Sequence, residues 1–128
     1  MNDIDIIDNY MDDREFRNYI VSLLPEFGFV KIKIEDERIS DEDKLNDNDI
    51  FARKDKITYT VLTYLNKEIT EKELEECHDD IEKEHVARGI VVSNLEVSDE
   101  IRAAGEKINV EIIDRKMLIQ KINGSIFS

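Results

Sequence analysis

Residues 89–92 of the chain, Gly-Ile-Val-Val, form a short apolar stretch that fits a buried strand. A strand that is apolar on both faces is typical of the centre of a parallel sheet that helices cover on both sides. Before it, Thr70 and Glu73 have the spacing of a capping box, which predicts the start of a helix. After it, Ser98 can cap a second helix. The region therefore predicts a central strand between two helices.

Outward from this strand, hydrophobic periodicity predicts the remaining elements. Residues 29–34 alternate apolar and charged side chains, as a half-buried strand does, and residues 57–65 are rich in β-branched and aromatic side chains. We predict strands near residues 30–34, 49–53, 57–65, 89–93 and 110–113, and helices near residues 12–24, 70–85, 98–107 and 115–122. The order α-β-β-β-α-β-α-β-α indicates the α/β class, with a mixed sheet and helices packed on both of its faces.

The length and composition favour one cytoplasmic domain. A chain of 128 residues is the size of a single domain, which we place over residues 1–128. The acidic segment 1–11 could form a flexible arm. The single cysteine, Cys77, cannot form an internal disulfide, which suits the cytoplasm. No apolar run is long enough to span a bilayer, so no membrane association is expected.

The charge balance predicts what the surface would bind. The formal net charge is −13, and acids concentrate in residues 1–15 and 35–49. Nucleic-acid binding depends on lysine and arginine side chains that neutralise phosphates, so the overall charge disfavours a nucleic-acid partner without excluding a local basic face. A basic protein partner is favoured instead. The sequence does not determine the oligomeric state.

A series of short motifs carries a family resemblance. They are, in order, Phe16-Arg17, Leu23-Leu24, Gly28-Phe29, Asp47-Asn48-Asp49-Ile50-Phe51-Ala52, Arg88-Gly89-Ile90-Val91-Val92, Val110-Glu111-Ile112-Ile113-Asp114 and Met117-Leu118-Ile119. In this order and spacing, from about Asp12 to Ile122, they resemble the Mrr-type branch of the restriction-endonuclease-like, or PD-(D/E)xK, superfamily. The resemblance implies a restriction-endonuclease-like fold.

The resemblance also implies a magnesium-dependent nuclease site, with carboxylates that hold the metal ion and a lysine beside them. Asp49 matches the family's first aspartate and is the candidate catalytic residue and metal ligand. The second acid and the lysine align with Val61 and Thr63, and a glutamate of the first helix aligns with Arg17. The resemblance therefore implies a degenerate active site and no cofactor.

Alternative interpretations of the reactive residues stay open. Lys67 and Glu68, just after the third strand, could be a relocated lysine and acid, in which case Mg²⁺ would bind with Asp49. Asp49 could instead have only a structural role. Cys77 is expected to be a buried packing residue. His78 and His85 would lie about 10 Å apart on one helix, too far to share a metal ion.

Three functions are compatible with these residues. The first is a non-catalytic domain that serves as a protein-assembly or DNA-processing-associated module. The second is a metal-dependent, Mrr-like endonuclease whose active-site residues have moved. The third is nucleic-acid binding without cleavage. The acidic composition favours the first.

Overall fold

The computed structural model describes the backbone of residues 3–35 and 49–127, and the side chains of residues 4–30 and 50–122. Its helices are α1 (Asp3–Tyr10), α2 (Asp13–Leu23), α3 (Glu71–Glu84), α4 (Asp99–Lys107) and α5 (Arg115–Phe127), and its strands are β1 (Lys31–Glu35), β2 (Asp49–Lys54), β3 (Ile57–Tyr64), β4 (Arg88–Ser93) and β5 (Val110–Ile113). A 3₁₀ turn, Leu24–Phe27, follows α2. The loop expected before residue 49 lies outside the described residues.

The five strands form one mixed sheet in the order β1-β2-β3-β4-β5. The first three strands pair antiparallel, whereas β3, β4 and β5 pair parallel. Asp55 and Lys56 both have positive φ, as the two central residues of a tight hairpin turn between β2 and β3 require. Helices α3 and α4 provide the crossovers between the parallel strands. The predicted α/β class and mixed sheet are confirmed.

Helices cover the sheet on both faces and enclose two hydrophobic clusters. The larger cluster joins side chains of α1, α2 and α5 to one face, with Phe16, Ile50 and Val61 among its buried members. The smaller cluster joins α3 to the other face through Leu74, Cys77 and Val91, with side chains of α4 packed against it. The sheet thus has a core on each face, as the continuous apolar sequence of β4 predicts.

The acidic N-terminal segment differs from the flexible arm that its composition allows. Residues 3–10 form α1, and Ile7 is completely buried in the larger cluster. Asp8 accepts hydrogen bonds from Arg115 Nη1, with both of its oxygens 2.9 Å away, and from Asn94 Nδ2 at 3.0 Å. The apolar residues between the acids, together with this ion pair, hold α1 against the domain.

In the described part of the chain, no helix combines the length and the apolar character needed to cross a membrane.

Candidate functional site

A cleft of about 840 Å³ lies between the start of α2, the second half of β3 and the C-terminal part of α3. The start of α2 is fixed by a capping box in which Asp12 and Glu15 bind each other's backbone N–H. Arg14 and Arg17, three residues apart in this helix, both line the cleft. Lys67 and Lys83 line it from the β3–α3 connection and from α3.

The pairing of β2 with β3 shows which residues of β3 lie opposite the start of β2, where Asp49 stands. Val61 lies opposite Ile50, and Thr60 lies opposite Phe51. Continued by one residue, this register puts Leu62 opposite the backbone of Asp49, the first residue of β2. Because alternate residues of a strand belong to alternate faces, Thr60, Leu62 and Tyr64 share the face of β3 that corresponds to this position.

This register corrects the expectation that Val61 and Thr63 stand beside Asp49. Val61 is 3% exposed and packs in the larger core cluster, as does its cross-strand partner Ile50. The expected positions were displaced by one residue along β3, which exchanges the two faces of a strand. That face of β3 holds threonine, leucine and tyrosine, so β3 still presents neither an acid nor a lysine there.

Beyond β3, Lys67 belongs to a polar network with the first turns of α3. Lys67 Nζ lies 3.3 Å from Glu73 Oε2 and 5.5 Å from the centre of the Tyr64 ring. The Tyr64 hydroxyl donates a hydrogen bond of 2.7 Å to Glu76 Oε1. Glu73 Oε1 accepts bonds from the Thr70 backbone N–H and hydroxyl. Lys67, Tyr64 and Glu73 thus join the end of β3 to α3.

The ionisation of this network follows from its hydrogen bonds. Burial of Glu73 opposes its ionisation, but hydrogen bonds from Thr70, its own backbone N–H and Lys67 outweigh burial and lower the pKa of Glu73 to about 2. Burial, followed by the hydrogen bond to Glu76, raises the pKa of Tyr64. Glu73 is therefore an anion and Tyr64 a neutral donor at neutral pH.

Of the residues proposed for a relocated site, the structure describes the side chains of Lys67 and Glu68. Glu68 is exposed, and the ion partner of Lys67 is Glu73. The Asp49 side chain lies outside the described residues, so the grouping of Asp49 with Lys67 and Glu68 stays a prediction. Among the side chains that are described, no three histidine, cysteine, aspartate or glutamate residues come together in a way that could hold a metal ion.

Cys77 packs in the core, while His78 lies in α3 and His85 lies at its end. Cys77 is fully buried in the smaller cluster, which confirms the expected packing role, and burial, followed by the charge of Asp80, raises the pKa of its thiol to about 12. His78 Nε2 lies 3.6 Å from a carboxylate oxygen of Glu82. His85 ends α3 in a left-handed conformation with φ of 58°.

The concentration of basic side chains in the cleft was not predicted from the sequence. Arg14 and Arg17 are far in sequence from Lys67 and Lys83, in a chain whose overall charge is strongly negative. Three carboxylates, those of Asp12, Asp13 and Asp80, also line the cleft. Only the three-dimensional arrangement brings the four cations to one cleft, although the alignment of Arg17 with a family glutamate was one available signal.

The comparison with family models identifies the class of the protein. The Mrr_cat model, described as a restriction endonuclease, matches residues 8–122, nearly the whole chain. The chain belongs to this family, and it is a restriction-endonuclease-like domain. No curated protein matches its sequence.

A solved structure shares the fold. The DNA modification-dependent restriction endonuclease AspBHI superposes with a TM-score of 0.68 at 13% sequence identity. The match covers 95% of this chain and 34% of AspBHI, so the chain spans about a third of the length of that protein. At this identity the likeness concerns the fold alone.

Proposed function

We propose that this chain is a non-catalytic member of its family, and that it acts by binding, as a protein-assembly or DNA-processing-associated module. The observation that carries the proposal is the chemistry of β3 at the cleft. The face of β3 that contains Leu62, opposite the start of β2, holds Thr60, Leu62 and Tyr64, where a nuclease of this family needs an acid or amide and a lysine. None of the three supplies a carboxylate or an amide to hold a divalent ion, or a lysine beside it.

The lysine after β3 supports the same conclusion. Lys67 lies against Glu73, whose carboxylate also caps α3 through Thr70. This arrangement gives the lysine a structural role at the start of the helix. A catalytic lysine would instead have to stabilise the charge that develops on a phosphate.

Magnesium is the metal that the family implies, and the described lining of the cleft does not fit it. Mg²⁺ binds through carboxylates, usually with several water molecules, in near-ideal octahedral geometry. The lining includes three acids, but Asp12 already caps α2, and four basic side chains share the cleft with them. Like charges at short distance oppose the binding of a divalent cation.

The acidic surface of α3 favours a positively charged protein as the partner. Helix α3 exposes a series of acids to solvent, and these are Glu71, Glu75, Glu76, Asp79 and Glu82. With the net charge of −13, they favour association with a positively charged protein surface over a nucleic-acid duplex. We place the domain in the cytoplasm, which its single cysteine suits.

Titration calorimetry with Mg²⁺ and Mn²⁺ tests the proposal at the Asp49 carboxylate. We expect no stoichiometric binding of either ion to the wild-type chain, and the same trace for Asp49→Ala. Tight binding of one ion per chain that is lost in Asp49→Ala would contradict the proposal, since it would place a metal site at the start of β2.

The competing function is a nuclease whose active site has moved to Asp49, Lys67 and Glu68. It requires Lys67 to serve the reaction, so Lys67→Ala would abolish cleavage while the start of α3 stays folded. Our proposal instead predicts that Lys67→Ala destabilises the start of α3, and that neither the wild type nor the variant cleaves nucleic acid.

A further inference from the structure

Basic side chains outnumber acidic ones in the cleft, whereas acids predominate in the chain as a whole. Four basic side chains from α2, the β3–α3 connection and α3 line it together with three carboxylates, whereas the whole chain has 31 acids against 18 lysine and arginine residues. The cations are therefore concentrated in a concave site. Charges in a cleft with low-dielectric walls act more strongly on a ligand than charges on a convex surface.

Two of these four cations are available to a ligand. Arg14 and Lys83 are exposed, and no hydrogen bond or ion pair within the described residues engages either of them. Lys67 shares its charge with Glu73, and Arg17 is half-buried and has other interactions in the structure. Arg14 and Lys83 line the cleft from two different helices, α2 and α3.

The remaining lining is apolar and hydroxylic. Leu62 and Leu65 contribute apolar side chains, and Thr63 contributes a hydroxyl. Tyr64 adds an aromatic ring whose hydroxyl is directed to Glu76. A volume of about 840 Å³ lies within the range of sites that hold small molecules. Such a lining suits a ligand with both an anionic and an apolar part.

We propose that this cleft binds a small phosphate-bearing ligand of nucleotide size, without a divalent metal, and that Arg14 and Lys83 supply the positive charge. The inference rests on the proposed function, because a carboxylate-and-metal site would need an acidic lining. It goes beyond that function by naming a ligand. Guanidinium and ammonium groups bind phosphate directly through charge-assisted hydrogen bonds, so they replace the positive charge of a metal ion.

The acids outside the cleft limit the ligand to a small molecule. A nucleic-acid duplex carries one phosphate charge about every 1.7 Å along its axis and would extend over the acidic surface of α3. A mononucleotide presents its phosphates inside the cleft alone. We therefore expect an isolated nucleotide to bind better than a duplex.

Titration calorimetry in the presence of EDTA tests the proposal. The probes are ADP, inorganic phosphate, a short single-stranded oligonucleotide and a short duplex. We expect ADP to bind with the highest affinity of the four, and binding to weaken as salt increases. Arg14→Gln/Lys83→Gln should weaken ADP binding about tenfold or more, since each substitution removes a charged hydrogen-bond donor.

The matched control is Lys107→Gln/Lys116→Gln, which removes the same charge from two exposed residues outside the cleft lining. It should keep the wild-type affinity for ADP, and thermal unfolding of both double variants shows that they are folded. Absence of ADP binding, an equal loss in both double variants, or tighter binding of the duplex than of ADP would overturn the proposal. Because EDTA is present, failure here is distinct from the discovery of a metal site.

Discussion

Lys67 Nζ lies 3.3 Å from Glu73 Oε2, and Glu73 is at the same time the third residue of the capping box that Thr70 begins at the start of α3. A lysine just after β3 is where a relocated catalytic group would be sought. In this chain the lysine contacts a buried carboxylate whose other oxygen is occupied by Thr70. The pair therefore links the end of the strand to the helix.

The first prediction concerns the pH dependence of stability. The pKa of Glu73 is lowered in the folded chain to about 2, below its ordinary value of 4.5, so the folded state favours the ionised form. The contribution of this carboxylate is fully present above pH 4.5 and is lost as the pH falls towards 2. Denaturant unfolding of the wild type and of Glu73→Gln should differ by about 1–2 kcal/mol at neutral pH.

That difference should shrink as the pH falls through this window, because glutamine keeps a capping oxygen but cannot ionise. A difference that stays constant down to the lowest pH at which the chain is folded would refute the role of the Glu73 charge.

The second prediction concerns the contact of α3 with β4. A methyl group added at Gly89 would lie closer to Cys77 Sγ than van der Waals contact allows. Gly89→Ala should therefore destabilise the domain by about 1–3 kcal/mol, the usual cost of overpacking a core. Cys77→Ala should relieve the clash, so the double variant should be more stable than the sum of the two single effects predicts. Simple additivity in chemical denaturation would show that the two residues do not meet.

The third prediction concerns α1. Asp8 contacts Arg115 and the buried Asn94, and removal of its carboxylate leaves both without this partner. Asp8→Ala should cost about 1–3 kcal/mol and increase the hydrogen exchange of the α1 amides. Arg115→Ala should cost less in this background than in the wild type, because the ion pair is already gone and only the hydrogen bond from Arg115 to the Asn94 carbonyl remains. If α1 exchanges rapidly in the wild type, the helix is not held as described.

Much of the fold was predictable because several local signals agree. The capping residues Thr70 and Ser98 and the apolar sequence of β4 indicate the same helix–strand–helix unit, and the structure contains it. The end of α5 was less predictable: the sequence suggested residue 122, whereas the helix continues to Phe127. Asn123, Gly124 and Ser125 interrupt the apolar periodicity and have low helix propensity, which weakens the sequence signal without preventing helix formation.

The site was less predictable than the fold. The composition of β3 showed that no acid, amide or amine is available, but the register depends on pairing with β2, which the sequence of β3 alone does not contain. Ion pairing between Lys67 and Glu73 depends on the angle between the strand and α3, and the cations of the cleft converge only through tertiary structure.

The measurement that tests the absence of catalysis most directly is a cleavage assay. Purified protein is incubated with Mg²⁺ or Mn²⁺ and with RNA or plasmid DNA, both unmodified and modified, beside Asp49→Ala and Lys67→Ala variants. We predict no metal-dependent hydrolysis above the level of either variant, because β3 contains no acid, amide or lysine that could serve the reaction. Metal-dependent cleavage by the wild type that disappears in both variants would contradict a non-catalytic role.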